Sequence, residues 1–164
     1  MSRTRIHGKR GFSLLELVIV VVIIGIVAAI AIPRMSRGTA GASDSAVSGD
    51  LAVMRNAVDL FAAEHGGKFP TIDKITTQLT KYTDGSNTSD PVDAKDATHL
   101  YGPYLRKIPP LPVGANKGKL TFTATAPGAT AADAGWYYNA TSGEIKANCA
   151  DTEVDAANTA YNTY

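Results

Sequence analysis

From Phe12 to Ile32 the chain reads FSLLELVIVVVIIGIVAAIAI, an apolar run in which Glu16 is the single charged residue. At about 1.5 Å per residue these 21 residues make a helix of about 31 Å, which matches a hydrocarbon core of about 30 Å. Val and Ile have only middling helix propensity in water. In lipid every backbone group must bond within the segment, so helix is the available answer. Gly25, Ala28, Ala29 and Ala31 are small enough to let neighbouring helices approach closely.

Pro33 follows the run directly and is expected to loosen the helix there, because it removes a backbone donor and crowds the carbonyl four residues earlier. The helical pattern then resumes. Val47, Leu51, Met54, Val58 and Phe61 recur at intervals of four and three, with Asp44, Asp50, Arg55, Asp59 and Glu64 on other faces. This predicts one helix from about residue 13 to 65, ended by Gly66-Gly67. Residues 75–84 (ITTQLTKYTD) carry a short second helical pattern, and 85–96 (GSNTSDPVDAKD) a polar loop. LTFTAT (120–125) alternates as a strand, and 135–149 read as a hairpin turning near Ser142-Gly143. The fold class is therefore α+β: a long N-terminal helix, half transmembrane and half amphipathic, packed on a small antiparallel sheet.

Charge narrows what the chain can do. The first eleven residues, MSRTRIHGKRG, hold Arg3, Arg5, Lys9 and Arg10 and no acid, which keeps this end cytoplasmic and sends the rest across the membrane. The whole chain of 164 residues is close to neutral, at +1, and shows no basic face that would attract nucleic acid. After the span about 130 residues remain, enough for one small domain. Cys149 is the lone cysteine, so stability must come from packing without a disulfide, and the thiol reads as a small buried hydrophobe. His7, His65 and His99 have no spacing that joins them to Cys149 or an acid as a metal or nucleophilic set. No phosphate loop, nucleophile elbow or catalytic carboxylate pair is present, so the chain does not read as an enzyme. No cofactor is expected. Asp133, Asp151, Glu153 and Asp155 are the oxygen donors that raise calcium, against the plainer reading of a solvated acidic tail.

Two simpler readings compete for the apolar run. A secretory signal peptide would use Ala29-Ile30-Ala31 for cleavage, but the run exceeds the usual apolar stretch of about 7–15 residues and contains Glu16. A plain anchor explains the length and leaves the glutamate costing about 2.5–3.5 kcal/mol for nothing. Lys9-Arg10-Gly11 followed by Phe12-Ser13-Leu14-Leu15-Glu16-Leu17 resembles the class III signal of type IV pilins and pseudopilins. That resemblance implies cleavage between Gly11 and Phe12 by a membrane aspartic peptidase, methylation of the Phe12 amine, and Glu16 as the fifth mature residue. Glu16 then lies about 6 Å along the helix from the new amine. A neighbour staggered by that distance would bring its own amine to this carboxylate, and such a buried pair sets register between subunits more than it adds stability. A glutamate reaching out to the membrane interface is the bland alternative.

HGGKFPT (65–71) resembles the helix exit of pseudopilins, and Gly102-Pro103-Tyr104-Leu105-Arg106-Lys107-Ile108-Pro109 resembles a segment of the major pseudopilin of type II secretion. The resemblance implies a type IV pilin-like fold. It divides the chain into a cleaved leader (1–11), a transmembrane and filament-core helix (12–33), and a periplasmic head (34–164) that includes the amphipathic half of the helix. It further implies a non-enzymatic subunit of a helical homo-oligomeric filament, held before assembly as a single-pass inner-membrane protein. The partners implied are the prepilin peptidase, a platform protein, an assembly ATPase and other pseudopilins. Major pseudopilins also share a calcium-binding loop near the C-terminus, from which ANCADTEVDAANTAYNTY departs. The alternative within the same superfamily is a pilin of a type IV pilus, serving adhesion, motility or DNA uptake.

Overall fold

Helix α1 (Leu14–Glu64) is assigned without interruption through Pro33. The computed structural model describes residues 12–129 and 132–164, with the backbone alone for 30–40. The leader, with Gly11, lies outside the described residues. The chain divides into two compact units, Met1–Thr39 and Ala40–Tyr164.

Within the second unit, the stripe anticipated from spacing is the spine of the core. Val47, Leu51, Met54, Val58 and Phe61 are all at most 1% exposed. Residue 65 closes the helix, and Gly66 and Gly67 follow with φ of +64° and +81°, the left-handed conformation that stops a helix cheaply only at glycine. Helix α2 (Ile75–Thr80) ends earlier than its sequence pattern suggests. Lys81 is extended, and Tyr82 and Thr83 instead form single bridges to Val92 and Tyr101. Ile75 and Leu79 are buried from this short helix. The Leu79 carbonyl accepts the N–H groups of both Tyr104 and Leu105, which is how the GPYL segment is tied down after its cis Gly102–Pro103 bond.

Strands β1 (Phe122–Thr123), β2 (Trp136–Asn139) and β3 (Glu144–Ala147) form one sheet in the order β1-β2-β3. The hairpin is as expected: β2 and β3 are antiparallel with Trp136 opposite Ala147, and the turn closes through Gly143, whose N–H bonds to the Asn139 carbonyl. Gly143 has φ +74°, and a Cβ there would stand 2.5 Å from the Phe69 ring. The sheet is not purely antiparallel, however. β1 runs parallel to β2 and is only two residues long. Alternation shows only the inward face of a strand; it carries no information on direction.

Trp136, Tyr138, Ile145 and Ala147 point inward and join the helix stripe, together with Leu105, Ile108, Leu111, Cys149 and Tyr161. The two aromatic heads are satisfied: Trp136 Nε1 donates to the Pro109 carbonyl at 2.9 Å, and the Tyr138 hydroxyl to the Pro70 carbonyl at 2.8 Å. Leu51→Ala should cost the head about 2–5 kcal/mol, the usual loss for a large-to-small change at a site with no room to collapse. Thermal melting of the full chain in micelles measures this, and an unchanged midpoint would show that α1 is not the core's spine.

Candidate functional site

The first helical turn follows directly from the order Phe12-Ser13-Leu14-Leu15-Glu16. An α-helix begins with backbone N–H groups that have no partner inside it. Here Glu16 Oε2 accepts the Ser13 N–H at 2.8 Å, and Ser13 Oγ accepts the Leu15 N–H at 3.3 Å. This is a capping box, Ser-x-x-Glu, a signal plainly legible in the sequence and passed over there in favour of the glutamate's charge. Glu16 therefore has a hydrogen-bond partner within the single chain. One carboxylate oxygen is held by its own helix end, where the helix dipole also favours negative charge.

Phe12 is 89% exposed, and every large apolar side chain from Leu14 to Val27 is about half exposed or more. Phe12, Glu16, Leu17, Val20 and Val21 line a shallow groove of ≈ 390 Å³. Among the described residues no helix is long and apolar enough to cross a membrane. The run in the sequence continues to Ile32, into the residues whose side chains are outside the description.

In the head, the face of α1 turned away from the core has an unusual make-up. A surface helix ordinarily presents charged and polar side chains to water. Here Gly49, Ala52, Val53, Asn56, Leu60 and Ala63 share that face with Asp59, and Val53 and Leu60 are 53% and 52% exposed. Elsewhere on the head, Ile108, Pro110 and Leu120 line an open groove of ≈ 500 Å³ with Arg106 and Lys107 on its wall, and no residue of α1 contributes to it.

The remaining candidates resolve into structural roles. Cys149 is fully buried, and burial followed by the nearby Glu153 charge pushes its thiol up to about 12, so no thiolate forms at neutral pH. His65 is buried at the helix end, stacked on Phe61 with its Nδ1 on the Phe61 carbonyl. His99 meets one acid, within its own loop. Its ring Nδ1 lies 2.9 Å from Asp96, whose carboxyl is held well below the usual range by the His99 and Thr98 N–H groups. This closes a loop and builds no ligand set.

The acidic tail is exposed along most of its length, as expected, and is also folded onto the head. Glu153 accepts the Ala115 and Ala150 N–H groups, Asp151 accepts Asn162 Nδ2, Asp155 accepts the Ala157 and Thr159 N–H groups, and Asp133 pairs with Lys119. Each is already engaged by donors of the protein. Among the described residues no three His, Cys, Asp or Glu side chains form a group that could hold a metal ion.

Comparison with known proteins finds a match over the same N-terminal stretch. Residues 6–32 match the prokaryotic N-terminal methylation motif. The type IV major alpha-pilin of Moraxella bovis is 44% identical over 66 residues, which are 40% of this chain and 40% of that protein. The type II secretion system core protein G of Klebsiella pneumoniae is 25% identical over 66% of this chain and 71% of its own length. Core protein G of Vibrio cholerae is 27% identical over 67% and 69%. The chain thus spans less than half of the alpha-pilin and about seven tenths of the secretion proteins. No solved structure matches. The chain carries a prepilin N-methylation motif and is homologous to the core protein G of type II secretion systems, the major pseudopilin, and to type IV pilins.

Proposed function

We propose that this chain is a structural subunit, a pseudopilin, of a type II secretion pseudopilus. A prepilin peptidase cuts it between Gly11 and Phe12 and the new amine is methylated. Until assembly the subunit waits in the bacterial inner membrane with its N-terminus cytoplasmic and its head periplasmic. It then joins a helical filament of its own kind with other pseudopilins, served by a platform protein and an assembly ATPase. Neither a catalytic step nor a cofactor is part of this reading.

The observation that carries it is the bare apolar surface of α1 from Leu14 to Val27, headed by Phe12 and a carboxylate in the first turn. A lipid anchor needs the surface and has no use for the charge. A filament core uses both, since small residues and apolar side chains pack helix on helix while Glu16 meets a staggered neighbour's amine. In the single subunit Glu16 rests on its own Ser13 N–H, so its charge has a partner until that amine arrives. Contacts between staggered copies are heterologous, which builds an open helix where the rotation does not close.

The head supports the same reading. The outer face of α1 carries Val53, Leu60 and the negative Asp59, and the Ile108–Leu120 groove carries Arg106 and Lys107. Apolar surface and opposite charge on two different faces suit another copy of this chain. Leu60→Glu should leave the melting temperature of the head within a few degrees of wild type, because the side chain is exposed, and should cut filament yield severalfold by burying a charge at the contact. Shearing and counting filaments from cells that carry the assembly machinery measures it. Normal yield would place that face outside the filament.

A type IV pilus is the second reading, favoured by the 44% identity to the alpha-pilin. Against it stands the single buried Cys149, which leaves no disulfide to close a C-terminal loop of the kind such pilins commonly carry.

A further inference from the structure

The segment after β3 is mostly polar, ADTEVDAANTAYNTY, yet it is folded. Val154 bridges Ala160 around a turn in which Asp155 accepts the Ala157 and Thr159 N–H groups at 2.8 Å and Asn158 takes φ +65°. A single 3-10 turn, Tyr161–Thr163, follows.

This tail grips α1 at two places three turns apart. The Tyr161 hydroxyl donates to Asp44 Oδ1 at 2.5 Å, and the Ala156 N–H donates to Asp44 Oδ2 at 3.2 Å. Further along the helix, Arg55 Nη2 donates to the carbonyl oxygens of Tyr164 and Ile145.

The helix at the first grip cannot hold itself. Residues 40–49 read AGASDSAVSG, in which glycine costs about 0.8–1.0 kcal/mol relative to alanine, and serine and aspartate are poor helix formers. The Ser45 and Ser48 hydroxyls bond back to the Gly41 and Asp44 carbonyls, an arrangement that slightly weakens a helix. None of residues 41–46 is buried. Packing, the usual source of helix stability, therefore begins only at Val47.

We propose that residues 150–164 are a latch that keeps the Ala40–Ala46 stretch of α1 wound, and that it opens without unfolding the core. Its bonds to Asp44 lie at the rim; Tyr161 is its one buried core side chain, with Tyr164 partly buried beside it, so opening gives up the packing of those rings and leaves the core's other buried side chains in place. When it opens, seven residues pass from about 10 Å of helix to as much as about 23 Å of extended chain. The stretch thereby becomes a segment of adjustable length at the start of the head's helix. This holds whether the chain serves a pseudopilus or a pilus.

Hydrogen exchange on the full chain in detergent micelles tests it. Tyr161→Phe removes only the hydroxyl and keeps the ring, and Asp44→Asn removes the charge at equal helix propensity. Each should speed exchange of the amides of residues 44–48 about tenfold or more, the worth of a hydrogen bond to a charged group. The double variant should add little to either single one, since both cut the same contact. The amides of β2 and β3 should keep their wild-type rates. Unchanged exchange at 44–48 in both variants would overturn the latch. So would equal acceleration throughout the strands, which would make the tail part of one unfolding unit with the core.

Discussion

Glu16→Gln should leave the subunit processed and helical from Leu14 but nearly unable to form filaments. The capping box makes this substitution more telling than removal of the side chain. A glutamine amide oxygen can still accept the Ser13 N–H that Glu16 Oε2 accepts at 2.8 Å, so the helix start survives. What is lost is the charge. In an assembled helix bundle the partner amine would then be buried and uncompensated, which costs about 3–5 kcal/mol at each contact. At about 1.4 kcal/mol per tenfold, that is at least a hundredfold in each subunit's association constant. Glu16→Ala should fail as badly, with a frayed first turn in addition. If Glu16→Gln assembles like wild type and Glu16→Ala does not, the carboxylate serves as a cap and the charge-pairing account of register is wrong.

The second large effect belongs to the head. Trp136→Ala should remove most of its stability. The indole is fully buried at the meeting of α1 and the sheet, faces Ala147 across β2–β3 and Phe122 across β1–β2, and satisfies the Pro109 carbonyl. Truncation to alanine at such a site typically costs about 3–5 kcal/mol, before any penalty for the carbonyl left without its donor. Small domains have about 5–15 kcal/mol in all, so the melting temperature should fall by about 10–20 °C. Trp136→Phe, which keeps most of the volume and loses the N–H, should fall between. A melt within a few degrees of wild type for Trp136→Ala would mean that the sheet does not cover the helix.

The parts of this molecule that were legible in the sequence share one property: a single local periodicity or motif decides them. The stripe from Val47 to Phe61 has only one burial solution once the helix is granted, and Gly66-Gly67 and Gly143 mark conformations that other residues resist. The processing motif is likewise a contiguous string, matched over residues 6–32. What was not legible depends on partners distant in sequence. Nothing local to LTFTAT says that it pairs parallel with Trp136 and Tyr137. The tail's acids looked free because their donors, Ala115, Asn162 and Tyr164, are set by loop geometry. Asp44 is matched by Tyr161 across 117 positions. The capping box is a different kind of case: its Ser-x-x-Glu spacing is local and visible, while the charge of Glu16 in an apolar run draws the reading toward a partner in another subunit.

The processing site itself decides between a filament subunit and an ordinary exported or anchored chain. Intact-mass measurement and N-terminal sequencing of the protein taken from the membrane fraction of cells with a prepilin peptidase should find a chain that begins at Phe12 and carries one added methyl group. A chain beginning at Ile32 would mean a secretory signal peptide, and one retaining Lys9-Arg10-Gly11 would mean a plain anchor. Either would contradict the assignment of Phe12 and Glu16 to filament assembly.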